Sequence, residues 1–518
     1  MEQKSRKGKQ SKIKCRTERN QEITKTRKIK RNIEVDRRRN IYDNLDSFFS
    51  DFEDISDVIS CLRQSRFASG DVVDGGKCSV RLLETLRDVL IDGKEQMLAS
   101  ISLTADNDFR SFQNDSPIIT HCIDENLFNL LSGMIDVNTV DVIVDILLMV
   151  LKFASFNQRK LISESNIQTS FLVFVCNTSD ISLKTKLIDC LSLVAIVNDQ
   201  FRSTLYSIFP SFTQNLVLSH QMDMQTWNYW RSVSYFLFTL TQRINRASLD
   251  EKQLIDLFAV SGVLLQLNDE KITVNSIMSF KWLIYTESEV IFKLTIETKL
   301  IESLTKFLES NEDFLKEAVT FIMLFLSSHC AMFVGVLQRC NFIAFVPKLM
   351  KICTGDVKLN TLSILMNIYK EDNSAIDQID LEAIPAILEA ITFGDIKTRN
   401  MATEFISILV LNEHIHLICE LLKHDVLHFL IVHLSSVDQN MLFVVINTYE
   451  RLLILEAKHR IPFQVAKECA NSFVVDKLNE LFLDERTNGT IAAKIGEILE
   501  KYIDELDELM EDNFIVDQ

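Results

Sequence analysis

Residues 318–337 read AVTFIMLFLSSHCAMFVGVL, an uncharged run from Ala318 to Leu337, and the meaning given to that run decides what the chain folds into. Its length is that of a helix crossing a bilayer. Ser327, Ser328 and His329 interrupt it in the middle, however, and its two halves fall at positions that recur along the chain. Two buried helices meeting at a turn is the reading that follows, with no membrane involved.

Outward from this stretch, from about Arg81 onward, apolar residues recur at helical spacing with short polar interruptions. One theme repeats: a polar or charged start, a strongly apolar helix, a short polar turn, and another apolar helix. Equivalent positions in the long inner helices are Leu148, Asp189, Tyr235, Met278, Thr320, Ser363, Phe405 and Asn447, with a mean separation of about 43 residues. That period belongs to armadillo and HEAT repeats. Each unit has apolar faces it cannot bury alone, so stacked units share one core and their inner helices line a concave surface suited to an elongated peptide. The clearest repeat phrases are Cys340-Asn341-Phe342-Ile343 running to Pro347, and Leu381-Glu382-Ala383-Ile384-Pro385, where the proline opens a helix at no cost in hydrogen bonds. The expected fold is all-α, a right-handed armadillo-repeat superhelical solenoid of about ten repeats over 81–506, with a last repeat from Val475 to Leu506 as its cap.

Composition agrees. Twelve Gly and five Pro in 518 residues leave little material for the tight turns of β-sheets. Eleven Cys without a CxxC pair, and no signal-like apolar segment at the N-terminus, predict free thiols in a reducing compartment.

Charge divides the chain. Residues 1–40 hold sixteen Lys and Arg against five Asp and Glu, a local charge of +11, whereas the remainder carries −28. Poor in apolar residues, the arm is expected to be disordered when free and able to fold as a helix on a partner. The organisation read from this is a basic arm over 1–45, an acidic linker over 46–80, the repeats over 81–506, and an acidic tail over 507–518.

The arm contains Arg16, Arg19-Asn20, then Arg27-Lys28-x-Lys30-Arg31, five residues, and Arg37-Arg38-Arg39-Asn40. With the repeat length, total length and acidic tail, this resembles the importin-α family, adaptors that carry nuclear-localisation-signal cargo to importin-β. The resemblance implies an importin-β-binding segment formed by Arg16, Arg19, Arg27, Lys28, Lys30, Arg31, Arg37, Arg38 and Arg39. It also implies that the free arm folds back into the groove, and that the acidic C-terminal end helps bind the importin-α export receptor, so that the protein shuttles between cytoplasm and nucleus.

In that family the inner helices carry Trp and, four residues later, Asn; the amide holds the cargo backbone and the indoles form slots for Lys stems. The matching pairs here read Leu148/Lys152, Asp189/Leu193, Tyr235/Thr239, Met278/Trp282, Thr320/Leu324, Ser363/Asn367 and Phe405/Leu409. Only Asn367 keeps the family residue, and Lys152 would repel a basic signal. The N-terminal half of the groove is therefore expected to be weak or altered, with cargo contacts at Tyr235, Thr239, Trp282, Ser363 and Asn367. Met278 and Phe405 are also readable as core, and Trp227 and Trp230 as packing.

The densest set of potential metal ligands is His414, His416, His424, His428 and His433. The stretch from His424 to His428 (HDVLH) lacks the Glu of the zinc motif HExxH and a third acidic ligand, so no metal is expected. No GxxxxGK[ST], GxGxxG or GxSxG occurs, and so few glycines leave no backbone for a phosphate loop or nucleophile elbow. The body's charge would repel nucleic acid. The sequence thus predicts a non-enzyme without cofactor: a divergent import adaptor, or alternatively an armadillo scaffold with one dedicated partner outside general import.

Overall fold

Asp180, Asp269, Asp395 and Asp438 each accept a hydrogen bond from a backbone N–H two or three residues on, and each opens a long helix. Such caps satisfy donors that the first helical turn leaves unpaired and contribute about 1 kcal/mol each. The computed structural model describes residues 55–63 and 80–91 apart from positions 57, 61 and 81, then 116–213, 223–242, 244 and 249–504 apart from 354, 437 and 472. Helices that recur about one repeat apart within these runs are Val140–Phe153 (α1), Ile181–Ala195 (α2), Met224–Thr241 (α3), Glu270–Ile284 (α4), Asp313–His329 (α5), Gly355–Glu371 (α6), Ile396–Leu411 (α7), Gln439–Ala457 (α8) and Gly489–Ile498 (α9).

Other helices lie between them, among them Asp199–Thr213 and Glu251–Leu264. Ala331–Arg339 and Val346–Ile352 precede α6; Ile415–Lys423 and Val426–Leu430 precede α8; Phe156–Ser163 and Ile167–Asn177 precede α2. The repeat is therefore a three-helix, armadillo-type unit. Its first turn has a fixed backbone device: Asn126, Lys299, Asn341 and Asp425 all occupy the left-handed region, with φ between 52° and 58°. Each sits where one short helix reverses into the next. A polar residue in that conformation does here what glycine does elsewhere, which explains how the turns form with so few glycines.

The chain falls into two compact units, Met1–Phe236 and Leu237–Gln518. In the first, α1 packs against α2 through side chains such as Ile143, Leu147, Ile188 and Leu191, all of them buried. Two buried arginines close the helix ends. Arg159 Nε donates to Leu151 O at 2.8 Å, and Arg202 Nε donates to Ala195 O at 3.0 Å. A cation at a helix C-terminus meets the negative end of its dipole and satisfies carbonyls left without an intrahelical partner.

In the second unit, α4, α5, α6, α7, α8 and α9 pack successively side by side. Phe280, Ile322, Leu362, Phe405, Tyr449 and Ile495 are buried along this layer. Polar ties cross it one repeat apart: Asn360 Nδ2 donates to Thr320 Oγ1 at 3.2 Å, and the Ser407 and Thr448 hydroxyls bond each other.

The uncharged stretch that opened the reading forms the end of α5 and the helix Ala331–Arg339, broken at an extended Cys330 with φ −153° and ψ 120°. Among the described residues no single helix is long and apolar enough to cross a membrane.

One boundary differs from expectation. The stretch read as linker, 46–80, contains helical residues between 55 and 63, where Ile55, Ile59 and Leu62 are buried. Arg63 pairs with Glu125 at 2.8 Å, and Ser56 Oγ meets His121 Nε2 at 2.7 Å. Their spacing of four and three residues is that of an apolar helical face, masked in the sequence by surrounding Asp and Glu. The basic arm over 1–45, with every residue expected to bind importin-β, lies outside the described residues, as does the tail over 507–518.

Candidate functional site

Within the second unit, α5, α6 and α7 together enclose a cleft of about 450 Å³. From α5 come Phe321, Leu324, Phe325, Ser328 and His329; from α6, Ser363, Met366, Asn367 and Lys370; from α7, Met401 and Glu404. Aromatic rings form one wall of it. Phe325 lies 4.1 Å from His329, centroid to centroid, in a stacked arrangement, 6.1 Å from Phe321 and 5.5 Å from Tyr285 on the preceding repeat. Tyr285 is 57% exposed, so the wall extends into solvent.

Electrostatics mark the same wall. Lys281 Nζ stands 4.6 Å over the Phe321 ring and 3.9 Å from Glu317 Oε1. His329 anchors its Nδ1 at Phe325 O, 2.7 Å away, and its Nε2 lies 3.7 Å from Glu287. The functional groups are those of recognition: aromatic faces, hydroxyls, an amide, and one charge of each sign from Lys370 and Glu404.

Of the five residues expected to contact cargo, Ser363 and Asn367 line this cleft. Asn367 is already engaged, its amide donating to the hydroxyls of Ser327 and Ser328 at 3.0 Å each. Ser363 Oγ donates back to Leu359 O of its own helix at 2.8 Å. Trp282 lies on α4, half-buried, its ring 6.3 Å from that of Tyr285 and its indole nitrogen buried without a hydrogen-bond acceptor. Tyr235 belongs to the first unit, where it acts electrostatically on buried Arg159. Thr239 is 2% exposed, which corrects its assignment: it packs inside the helix layer and cannot meet a ligand.

The residues that the spacing missed are Phe321 and Phe325. The aligned pair on α5 was Thr320/Leu324, yet Thr320 is 0% exposed and the aromatic pair lies one residue further on. On α7 the same slip occurs in the other direction, Phe405 being core while Glu404 lines the cleft. Two phenylalanines four residues apart, with Tyr285 upstream, are the signal that was present.

The first unit has a cleft of its own, about 410 Å³, lined by Arg87 and Ile91 together with Asp145, Leu148, Met149, Lys152 and Phe153 of α1. Leu148 and Lys152, the pair read as unsuited to a basic signal, both sit in it. Beyond it on α2, burial raises the pKa of Asp189, while a hydrogen bond with Ser232 and the charge of Lys152 oppose that rise.

Three of the five histidines between positions 414 and 433 have polar partners within the fold. His414 Nδ1 pairs with Asp377 at 2.8 Å, His424 with Glu420 at 3.3 Å, and buried His433 with the Thr403 hydroxyl at 2.8 Å. Among the described residues no three His, Cys, Asp or Glu side chains converge as a metal ion would require. The buried thiols of Cys122 and Cys469 are pushed up to about 12 by desolvation, which makes them inert packing groups.

No family model and no curated protein matches the chain. Among solved structures, an engineered protein aligns with a TM-score of 0.59 at 13% identity, covering 86% of this chain and 98% of its own. A computationally designed armadillo repeat protein for modular peptide recognition aligns over 47% of this chain and 98% of its own, at 12% identity and a TM-score of 0.39. The first likeness is one of fold alone. With the three-helix unit it defines the class: an all-α, armadillo-type repeat solenoid.

Proposed function

We propose that the chain is a non-enzymatic peptide-binding scaffold that works as a nuclear import adaptor, taking basic cargo in the second-unit cleft and importin-β on its N-terminal arm. The observation that carries the cargo half is the ammonium of Lys281 over the Phe321 ring at 4.6 Å: this aromatic wall already seats a cation of the chain itself. A cargo lysine can lie along Phe325 and Tyr285 in the same way, with Glu404 as a carboxylate partner. The importin-β half is supported by the arm's register, Arg27-Lys28-x-Lys30-Arg31 followed by Arg37-Arg38-Arg39-Asn40, and by its charge of +11. Return of the chain from nucleus to cytoplasm would then use the importin-α export receptor.

A second reading is favoured by a separate observation. Asn367 has both amide donors committed to α5, and the other pairs carry Lys152, Leu193, Thr239, Trp282, Leu324 and Leu409 in the place of the asparagine, so the repeated amides that hold a generic signal are missing. That suits a scaffold with one dedicated partner outside general import. Calorimetry of the full chain with purified importin-β, beside the Arg37→Ala/Arg38→Ala/Arg39→Ala variant, separates the two. Tight binding lost in the variant is the expected result; absence of binding to either protein moves the function to the dedicated scaffold.

A further inference from the structure

We propose that Lys281 is a built-in occupant of the second-unit cleft's aromatic wall: its ammonium fills the seat at Phe321 that a lysine of a bound peptide would otherwise take. Lys281 thereby sets how many cations the wall accepts. The assignment rests on the reading of that cleft as a basic-peptide site. The wall is a ladder of two rungs between α4 and α5. Lys281, near the end of α4, and Tyr285, just past it, stand four residues apart and meet Phe321 and Phe325, four apart on α5. At the second rung two rings lie 5.5 Å apart; at the first an ammonium stands 4.6 Å over a ring.

Little else holds that ammonium in place. Among the described residues its one counter-charge is Glu317, at 3.9 Å, between side chains 22% and 38% exposed, and so long and solvated a pair is weak. A flexible four-carbon stem lets the head leave the ring for water when a competitor arrives. Geometry defines that competitor. Alternate side chains of an extended peptide point to one side and lie about 6.8 Å apart, close to the 6.1 Å between the Phe321 and Phe325 centroids. A Lys-x-Lys segment therefore matches one ammonium to each ring, and with Lys281 in place only one of the two finds a seat. Formal charge does not oppose the second: Lys281 and Lys370 against Glu287, Glu317 and Glu404 leave one net negative charge at the cleft and its wall.

The test is fluorescence anisotropy with the full chain at physiological salt. The probe is a labelled synthetic peptide of alternating Lys and Ser, which offers a cation to every open ring whatever its register. Lys281→Met keeps the length of the stem and removes the ammonium, and it should bind the probe about fivefold more tightly than the parent. Lys281→Arg, which keeps the seat filled, should bind it no better than the parent. Loss of one positive charge by itself also favours a basic probe, so the effect of Lys281→Met is measured again in a Phe321→Leu background. There the gain should shrink to about twofold or less, because the seat that it frees is gone. Thermal melting by circular dichroism checks that each variant is folded. If the probe binds the parent but Lys281→Met gives no gain, or the same gain with and without the Phe321 ring, or Lys281→Arg gains as much, this assignment falls and the basic-peptide reading stands. No binding to the parent or to Lys281→Met up to about 1 mM overturns both.

Discussion

Asn367 on α6 donates its amide to the Ser328 hydroxyl on α5 at 3.0 Å, and to the neighbouring Ser327 hydroxyl at the same distance. An amide nitrogen carries two hydrogens, so both of its donors are spent between helices and only its carbonyl oxygen remains for a ligand. The one asparagine that stands where the importin-α pattern has it is therefore a tie between repeats. Asn367→Ala should lower unfolding free energy by about 1–2 kcal/mol, the worth of two partly buried hydrogen bonds. Affinity for a basic peptide should change much less. Urea unfolding of Asn367→Ala, alone and combined with Ser327→Ala and Ser328→Ala, measures the coupling. A large loss of peptide affinity with an unmoved unfolding midpoint would instead make the amide a ligand contact.

Phe325 and Phe405 separate recognition from packing. Phe325 faces the cleft beside His329, at 4.1 Å, whereas Phe405 is 0% exposed inside the helix layer. Phe405→Ala should cost about 3–5 kcal/mol, the transfer term plus an unfilled cavity. Phe325→Ala should cost no more than about 1 kcal/mol in stability, yet weaken a lysine-rich peptide about tenfold by removing the face on which its stems lie. Paired unfolding and anisotropy titrations read both quantities. Equal stability losses in the two variants would place Phe325 in the core instead.

How far the sequence led depended on what each feature needs to be seen. A helix start needs one residue, and the Asp residues of the polar starts, such as Asp269 and Asp395, do cap inner helices. A repeat needs only a period, which is why the helix positions were legible. A helix face needs exact register, because one residue turns the helix by about 100°. That is why Thr320 and Phe405 stood in for Phe321 and Glu404. The tie from Asn367 to α5 joins residues about 40 apart and has no local signature at all. The helical residues found between 55 and 63 were hidden for another reason: three buried apolar side chains among many acids do not raise mean hydropathy.

The left-handed turns make a prediction of opposite sign at two equivalent positions. Lys299, at φ 52°, carries a long side chain in a conformation that crowds its Cβ, while Asn341, at φ 54°, is a residue that tolerates it. Lys299→Gly should therefore raise stability by up to about 1 kcal/mol, less the chain entropy that glycine adds to the unfolded state. Asn341→Gly, with less strain to relieve, should be neutral or slightly destabilising. Thermal melts of the two variants beside the parent check the ordering, which an unstrained Lys299 would reverse or abolish.

His433 is buried, bonded to the Thr403 hydroxyl at 2.8 Å, and its pKa is lowered from 6.5 to about 4, first by burial and then by the charge of Arg399. The unfolded chain therefore holds more protons on this residue between those two values. Stability supplied by the neutral ring is fully present above about 6.5 and is lost as pH falls towards 4. Between pH 7 and pH 5 this one group should cost about 2 kcal/mol. Carboxylates also titrate on the acid side, so the comparison that isolates the ring is His433→Gln, which keeps a polar partner for Thr403 without a charge to gain. Denaturant unfolding of parent and variant at the two pH values should show the parent losing about 2 kcal/mol more than the variant. Parallel losses in the two proteins would mean that His433 titrates in the folded chain as it does in the unfolded one.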